Sequence, residues 1–82
     1  LSDSRTKFYL PANPKTGQTV KIIRTGGGKK DIYANYTAYP AANSNKIWAL
    51  TNTGLRSYTY REVTYCKEFI WTGVYWLQNR ID

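Results

Sequence analysis

The sequence lacks the residue types on which most metal and nucleophilic chemistry depends. It has no histidine and a single cysteine, Cys66, so it can form neither an internal disulfide nor a Cys/His zinc site. Its five acidic residues are scattered, and without histidine a serine has no ordinary general base. We therefore expect no enzyme activity, no metal and no cofactor. We interpret Cys66 as a small buried strand residue.

Long apolar runs and helical periodicity are also missing. No stretch approaches the roughly 20 apolar residues that cross a bilayer, and no long segment spaces apolar residues as an amphipathic helix requires. No secretory signal pattern opens the chain. We therefore expect no membrane insertion and little helix. Because the first residue is Leu1 and not methionine, we also expect a piece of a longer protein.

Aromatic residues and positive charge are abundant. Three Trp, eight Tyr and two Phe in 82 residues must supply much of the packing in a chain without Met. A chain of this length forms one domain, residues 1–82, with a thin core. The net charge of +7 favours acidic partners such as nucleic acid, lipopolysaccharide phosphates or an acidic protein surface.

Short runs rich in β-branched and aromatic residues alternate with clusters of Gly, Pro, Asn and Ser. This pattern predicts an all-β fold, a small antiparallel sandwich or partly open barrel of about seven short strands. The predicted strands are 6–10, 19–24, 31–36, 46–50, 58–66, 68–71 and 74–78. The short Thr-Gly connection at 72–73 predicts that the last two strands pair antiparallel.

The closing hairpin is apolar on both faces. Phe69 and Trp71 share one face of their strand opposite Ile70. In the next strand, Val74 and Trp76 share one face opposite Tyr75 and Leu77. One face packs into the core, and we expect Trp76 to be buried there. The other face meets a second sheet, an adjacent subunit or a ligand.

The segment 25–30, Thr-Gly-Gly-Gly-Lys-Lys, is similar to a phosphate-binding loop, because glycines let backbone amides approach phosphate oxygens. The spacing Gly-x₄-Gly-Lys-Ser/Thr is absent, and the residues that follow are typical of a strand and not of a helix. We therefore interpret the segment as a hairpin loop that carries Lys29 and Lys30.

A small basic β-barrel that binds nucleic acid is an alternative function. Cations would contact phosphates, and tyrosines would stack on bases. The candidate residues are Lys21, Arg24, Lys29, Lys30, Arg56, Arg61, Tyr33, Tyr58 and Tyr60. No RNP-type or cold-shock-type aromatic signature accompanies them, and scattered charges commonly belong to a solvated face.

Two further motifs stand near the two ends of the sequence. The first is Phe-Tyr-Leu-Pro-Ala-Asn-Pro-Lys-Thr-Gly-Gln-Thr-Val-Lys-Ile-Ile at 8–23, and the second is Phe-Ile-Trp-Thr-Gly-Val-Tyr-Trp at 69–76. Both resemble motifs of small β modules in bacteriophage tail fibres, tailspikes and tail adaptor proteins. Such modules commonly carry leucine-proline, a glycine and Val-x-Ile early, and end on aromatic-x-Gly-x-x-Trp.

This resemblance implies a virion component of the phage tail, usually a homotrimer. Its function would be to bind the host surface or to connect fibre segments, with other tail proteins or a host surface glycan as partners. Loops that vary between such modules carry their function, so the resemblance transfers neither a receptor nor an activity. A glycan-degrading enzyme is the third alternative.

The segment 36–45 is the predicted ligand-binding loop of a receptor tip, because it combines aromatic rings with polar side chains. The predicted contacts are Tyr39, Asn43 and Asn45, with Lys29 and Lys30 attracting anionic sugars or lipopolysaccharide phosphates. In the alternative interpretation, Tyr39 packs on the core and the asparagines shape turns.

Overall fold

The computed structural model describes residues 5–36 and 45–79, which form eight strands in two sheets. The strands are β1 (Arg5–Tyr9), β2 (Thr19–Ile23), β3 (Lys29–Tyr33), β4 (Ile47–Thr51), β5 (Gly54–Tyr58), β6 (Tyr60–Val63), β7 (Cys66–Trp71) and β8 (Trp76–Gln78). The three-stranded sheet has the order β1-β3-β6, and the five-stranded sheet has the order β2-β7-β8-β4-β5. The predicted all-β fold is confirmed, and the sheets do not close into a barrel.

Both sheets are mixed. β1 runs parallel to β3 and β4 runs parallel to β8, whereas the other four pairs are antiparallel. The predicted antiparallel pairing of the last two strands is confirmed, with Trp71 opposite Trp76. Gly73 lies in the turn between them at φ 104°, a conformation that side chains rarely adopt. The hydroxyl of Thr72 accepts hydrogen bonds from the N–H groups of Val74 and Tyr75, both at 3.3 Å.

β5 is a strand that the sequence pattern did not predict. Its polar residues leave it exposed at the edge of the five-stranded sheet, where apolar alternation is not required. A tight turn with Gly54 at φ 113° brings it back along β4, so that Thr51 pairs with Gly54. The hydroxyl of Thr51 donates to the carbonyl of Gly54 at 2.8 Å and fixes this turn.

The predicted strand 58–66 covers the last residue of β5, all of β6 and the first residue of β7. β6 ends at Val63, two bend residues follow, and β7 begins at Cys66. The bend moves the chain from the three-stranded sheet to the five-stranded sheet. Cys66 is consequently the first residue of β7, and it is half-buried and not buried as expected.

β3 begins two residues earlier than predicted. Its register with β1 pairs Arg5 with Lys29 and Thr6 with Lys30, so both lysines belong to the strand and not to the glycine loop. The loop ends at Gly28, which has φ 79°. It connects β2 and β3, which belong to different sheets, so the predicted hairpin loop was wrong. Placing the two lysines on the loop was wrong, because pairing with β1 extends β3 toward its N-terminus.

A single apolar core lies between the sheets. Its fully buried large side chains are Trp76, Phe69, Ile32, Ile47 and Val63. Alternation is clearest in β7, where Lys67, Phe69 and Trp71 are buried and the residues between them are half-buried. The expected burial of Trp76 is confirmed at 0% exposure. Its strand lies between β7 and β4, so neighbours cover it on both sides.

Candidate ligand-binding face

Three tyrosines form a row across the outer face of the three-stranded sheet. The register sets Tyr9 beside Tyr33 and Tyr33 beside Tyr60, so each strand contributes one ring. The ring centroids are 5.5 Å apart in both pairs, with planes inclined by 32° and 24°. Tyr9 is 60% exposed and Tyr60 is 41% exposed. Rings this exposed add little burial, so core packing does not explain the row.

Strand alternation gives this face its charged residues as well. Because Ile32 is buried in the core, its neighbours Asp31 and Tyr33 lie on the opposite face. On β1 the same alternation puts Arg5, Lys7 and Tyr9 on the outer side. We call this outer surface the tyrosine face; its members are Arg5, Lys7, Tyr9, Lys29, Asp31, Tyr33, Tyr60 and Glu62.

Both carboxylates of the tyrosine face pair with cations, Arg5 and Lys29. Arg5 donates from Nε to Oδ2 of Asp31 at 2.7 Å and from Nη2 to Oδ1 at 3.0 Å. The same guanidinium lies 3.6 Å from Glu62, and Lys29 donates to Glu62 at 3.5 Å. The hydrogen bond to Asp31 raises the pKa of Arg5 above its ordinary value, so this guanidinium stays charged. Arg5 thus spans β3 and connects β1 to β6.

Two of the cations also lie against the rings. The ammonium of Lys7 is 5.3 Å from the ring centre of Tyr33, and the guanidinium carbon of Arg5 is 5.9 Å from that of Tyr60. Both distances fall within the range of cation–π attraction. With three cations and two carboxylates, the tyrosine face carries a net charge of +1. It is therefore an aromatic surface with dense polar groups and almost balanced charge.

The two lysines of the predicted site lie on opposite sides of β3. Lys29 belongs to the tyrosine face, where Glu62 holds it. Lys30 lies on the inner side, and its ammonium donates to the carbonyl of Gly27 at 2.9 Å. Successive strand residues point to opposite faces, so the pair cannot act on one ligand patch.

Of the predicted loop contacts, Tyr39 and Asn43 lie outside the described residues. Asn45 has φ 59°, in the left-handed region that asparagine tolerates. Its Oδ1 accepts a hydrogen bond from the N–H of Tyr36 at 3.0 Å, and its own N–H donates to the Tyr36 carbonyl at 3.3 Å. Asn45 therefore shapes a turn. It also lines a polar cleft of about 310 Å³ together with Asn13 and Asn35.

The residues named for nucleic-acid binding are dispersed over the molecule. Lys29, Tyr33 and Tyr60 share the tyrosine face, but Arg61 stacks on Tyr58 with its guanidinium carbon 4.0 Å from the ring centre. Arg61 also donates to Gln78 at 2.9 Å. The cations therefore do not form one continuous basic strip. Arg5, Lys7 and Tyr9 were missed, although their alternation in the first strand could have identified them.

No model of a known protein family, no curated protein and no solved structure matches this chain. Within residues 5–36 and 45–79, no helix has the length and apolar character needed to cross a membrane. The same residues contain no group of three or more metal-ligating acidic or cysteine side chains.

A second surface lies on the outer face of the five-stranded sheet. The register aligns Trp48 with Leu77 and Leu77 with Ile70, and Leu50 pairs with Leu55. Leu50 is 62% exposed and Leu55 is 43% exposed. We call these five residues the apolar outer stripe. It contains the second apolar face of the closing hairpin, and no other described strand covers it.

Proposed function

We propose that this chain is a non-catalytic module of a bacteriophage tail fibre or tailspike that attaches to polysaccharide on the host surface. The tyrosine face is the observation that carries the proposal. The two sequence motifs that resemble phage tail modules supply the context. In this view the protein is a virion component, and its partners are host glycans and other tail proteins.

The chemistry of the tyrosine face suits sugars. The C–H faces of pyranose rings pack on aromatic rings, and exposed parts of Tyr9 and Tyr60 supply such surface. Hydroxyl groups need directed donors and acceptors, which the guanidinium of Arg5 and the carboxylate of Glu62 provide. A net charge near zero favours neutral or weakly anionic chains, because it neither attracts nor repels them strongly.

Binding of the chain to extracted surface polysaccharides from a panel of bacteria tests the proposal. Isothermal titration identifies a polysaccharide that binds, and the variants Tyr9→Ala and Tyr60→Ala are then compared with Tyr65→Ala. Tyr65 is 73% exposed and lies outside the tyrosine face, so it is a matched control. We expect each face variant to weaken binding about tenfold and the control to have no effect. Full binding by a Tyr9→Ala/Tyr60→Ala double variant contradicts the proposal.

Nucleic-acid binding is the second candidate, because Lys29, Tyr33 and Tyr60 share one face with Arg5 and Lys7. A titration with oligothymidylate at several salt concentrations separates it from the first. Three phosphate contacts would give a log–log slope of about −2 for a single strand. We expect weak binding, since Asp31 and Glu62 already pair with two of these cations.

The apolar outer stripe supports the expected assembly of this chain into a homotrimer. Leu50 and Leu55 expose adjacent apolar surface next to the half-buried Trp48, a composition typical of protein contact sites. We propose that this surface packs against copies of the same module in the intact protein, with threefold symmetry. Attachment and assembly then use opposite sheets of the domain, so a trimer leaves each tyrosine face accessible.

A further inference from the structure

The two sheets leave an apolar cleft between their edge strands. β1 is an edge of the three-stranded sheet and β2 is an edge of the five-stranded sheet, and each pairs with one strand among the described residues. The cleft between them has a volume of about 480 Å³. Phe8, Val20 and Ile22 contribute to its wall, and Phe8 remains 45% exposed. Apolar side chains that belong to the interior thus reach solvent here.

The backbone of β2 faces this open edge with alternate residues. Gln18 accepts a hydrogen bond from Trp71 and Arg24 donates one to Tyr65, both at 2.9 Å, so the even-numbered positions bond toward β7. In antiparallel pairing, the residues between them direct N–H and C=O to the other side. The backbone groups that point to the open edge belong to Thr19, Lys21 and Ile23.

Charge at this edge selects against a second copy of the chain. Lys21 is the middle residue of β2, and antiparallel pairing of two copies centred there would set Lys21 opposite Lys21. A lysine in an edge strand is a common barrier to such pairing, and each chain also carries +7. On the β7 side, the cross-strand neighbour of Lys21 is the acidic Glu68, so an acidic residue on the open side would repeat that arrangement.

We infer that the open edge of β2 accepts an extended peptide from another protein, in which apolar and acidic residues alternate. Main-chain hydrogen bonds to Lys21 and Ile23 supply affinity, as in other cases of strand addition. Apolar side chains of the peptide enter the cleft and cover Phe8, while an acidic side chain lies beside Lys21. Lys30, which also lines the cleft, adds positive charge that attracts the acidic strand.

Amide NMR with two matched peptides tests this inference. The probe is acetyl-Val-Glu-Val-Glu-Val-amide, and its control is acetyl-Val-Lys-Val-Lys-Val-amide. With the acidic peptide, we expect shifts at the amides of Thr19, Lys21 and Ile23 and slower hydrogen exchange at Lys21 and Ile23. Val20 and Ile22 amides, which already face β7, should change little. The basic peptide should leave the spectrum unchanged.

Two variants separate the backbone contribution from that of charge. Lys21→Pro removes an N–H that β7 does not use, a change that edge strands tolerate, and it should abolish the shifts. Lys21→Ala keeps the N–H and should weaken binding without abolishing it. Phe8→Ala changes the wall of the cleft and should also weaken binding of the acidic peptide. It replaces Lys21→Pro as the test if the proline variant does not fold.

Three results would overturn the inference. The first is equal binding of the acidic and basic peptides, and the second is unchanged exchange at Lys21 and Ile23 at saturating acidic peptide. The third is a dimer of the chain, detected by sedimentation, that Lys21→Pro dissociates, because a second copy would then occupy the edge.

Discussion

Arg5 and Asp31 form a two-pronged ion pair that runs diagonally across the parallel strands β1 and β3. Asp31 is 2% exposed, so its carboxylate depends on the guanidinium for compensation of its lost hydration. In register, Arg5 lies beside Lys29 and Asp31 lies beside Lys7. The ion pair therefore skips the direct cross-strand neighbours, and it draws the first strand of the chain onto the centre of the sheet.

Arg5→Ala should lower the melting temperature clearly, because it leaves a buried carboxylate without its partner. The melting temperature of Arg5→Lys should lie between those of the wild type and Arg5→Ala. An ammonium keeps the positive charge but lacks the planar pair of donors that binds both carboxylate oxygens. Lys7→Ala is the control, as it lies on the same strand and the same face. Circular dichroism during heating measures all three. Equal melting temperatures for Arg5→Ala and Lys7→Ala would contradict the assigned role.

Trp76→Ala should cost about 3–5 kcal/mol of unfolding free energy, because the side chain is fully buried between two neighbouring strands. A domain of this size has little more than that in total, so the variant should be largely unfolded. Urea denaturation followed by far-ultraviolet circular dichroism measures the loss. Trp48→Ala is the matched control. Because Trp48 is half-buried, its removal should lower the unfolding free energy distinctly less than Trp76→Ala does.

Gly73→Ala should destabilise the domain by about 1–3 kcal/mol, because a side chain is strained at φ 104°. An added Cβ would also lie 3.2 Å from the hydroxyl of Thr16. Gly26→Ala is the control, since its added Cβ meets no atom within 4 Å. Chemical denaturation compares the two variants, and equal midpoints would argue against strain in the β7–β8 turn.

Tyr36 should make stability fall at alkaline pH. Burial raises the pKa of its phenol above the ordinary value of 10.0, so the folded state holds the proton more tightly than the unfolded state. This stabilisation is complete below pH 10 and is lost as pH rises through the folded pKa. The hydroxyl also donates to the carbonyl of Lys46 at 2.6 Å, so Tyr36→Phe should cost about 1–3 kcal/mol at pH 8.

The check is the difference in unfolding free energy between the wild type and Tyr36→Phe from pH 8 to pH 11. We expect the wild-type advantage to be constant up to about pH 10 and to shrink above it. Because both proteins share the remaining tyrosines and lysines, the difference isolates Tyr36. A constant difference across the whole range would show that its phenol titrates alike in both states.

The proposed assembly makes a prediction about the apolar outer stripe. The intact protein should sediment as a trimer, and Leu50→Lys with Leu55→Lys should convert it to monomer. Both residues are exposed, so the substitutions should leave the unfolding midpoint of the monomer unchanged. Thr6→Lys, at an exposed residue of the three-stranded sheet, is the control. A monomer of the unsubstituted intact protein would refute the assembly.

The local sequence predicted those strands in which apolar residues alternate because one face of the strand is buried. β7 and β8 were evident because buried residues alternate with less buried ones in both strands, and a short turn connects them. The large buried residues are Phe69, Trp71 and Trp76. β5 was not evident, because an edge strand that is mostly exposed needs no apolar alternation. Lys29 was named as a ligand contact, but its position in β3 follows from pairing with a strand more than twenty residues earlier.

The sequence by itself determined the all-β class, the closing hairpin and the burial of Trp76, because alternation and turn residues act over a few neighbouring positions. Only the tertiary structure decided that Tyr9, Tyr33 and Tyr60 form one row. They come from three strands that are distant in the chain, and their alignment depends on one parallel and one antiparallel register. A slip of one residue in β3 would turn Tyr33 toward the core and expose Ile32. The candidate site therefore exists only because packing of the core on Ile32 selects that register.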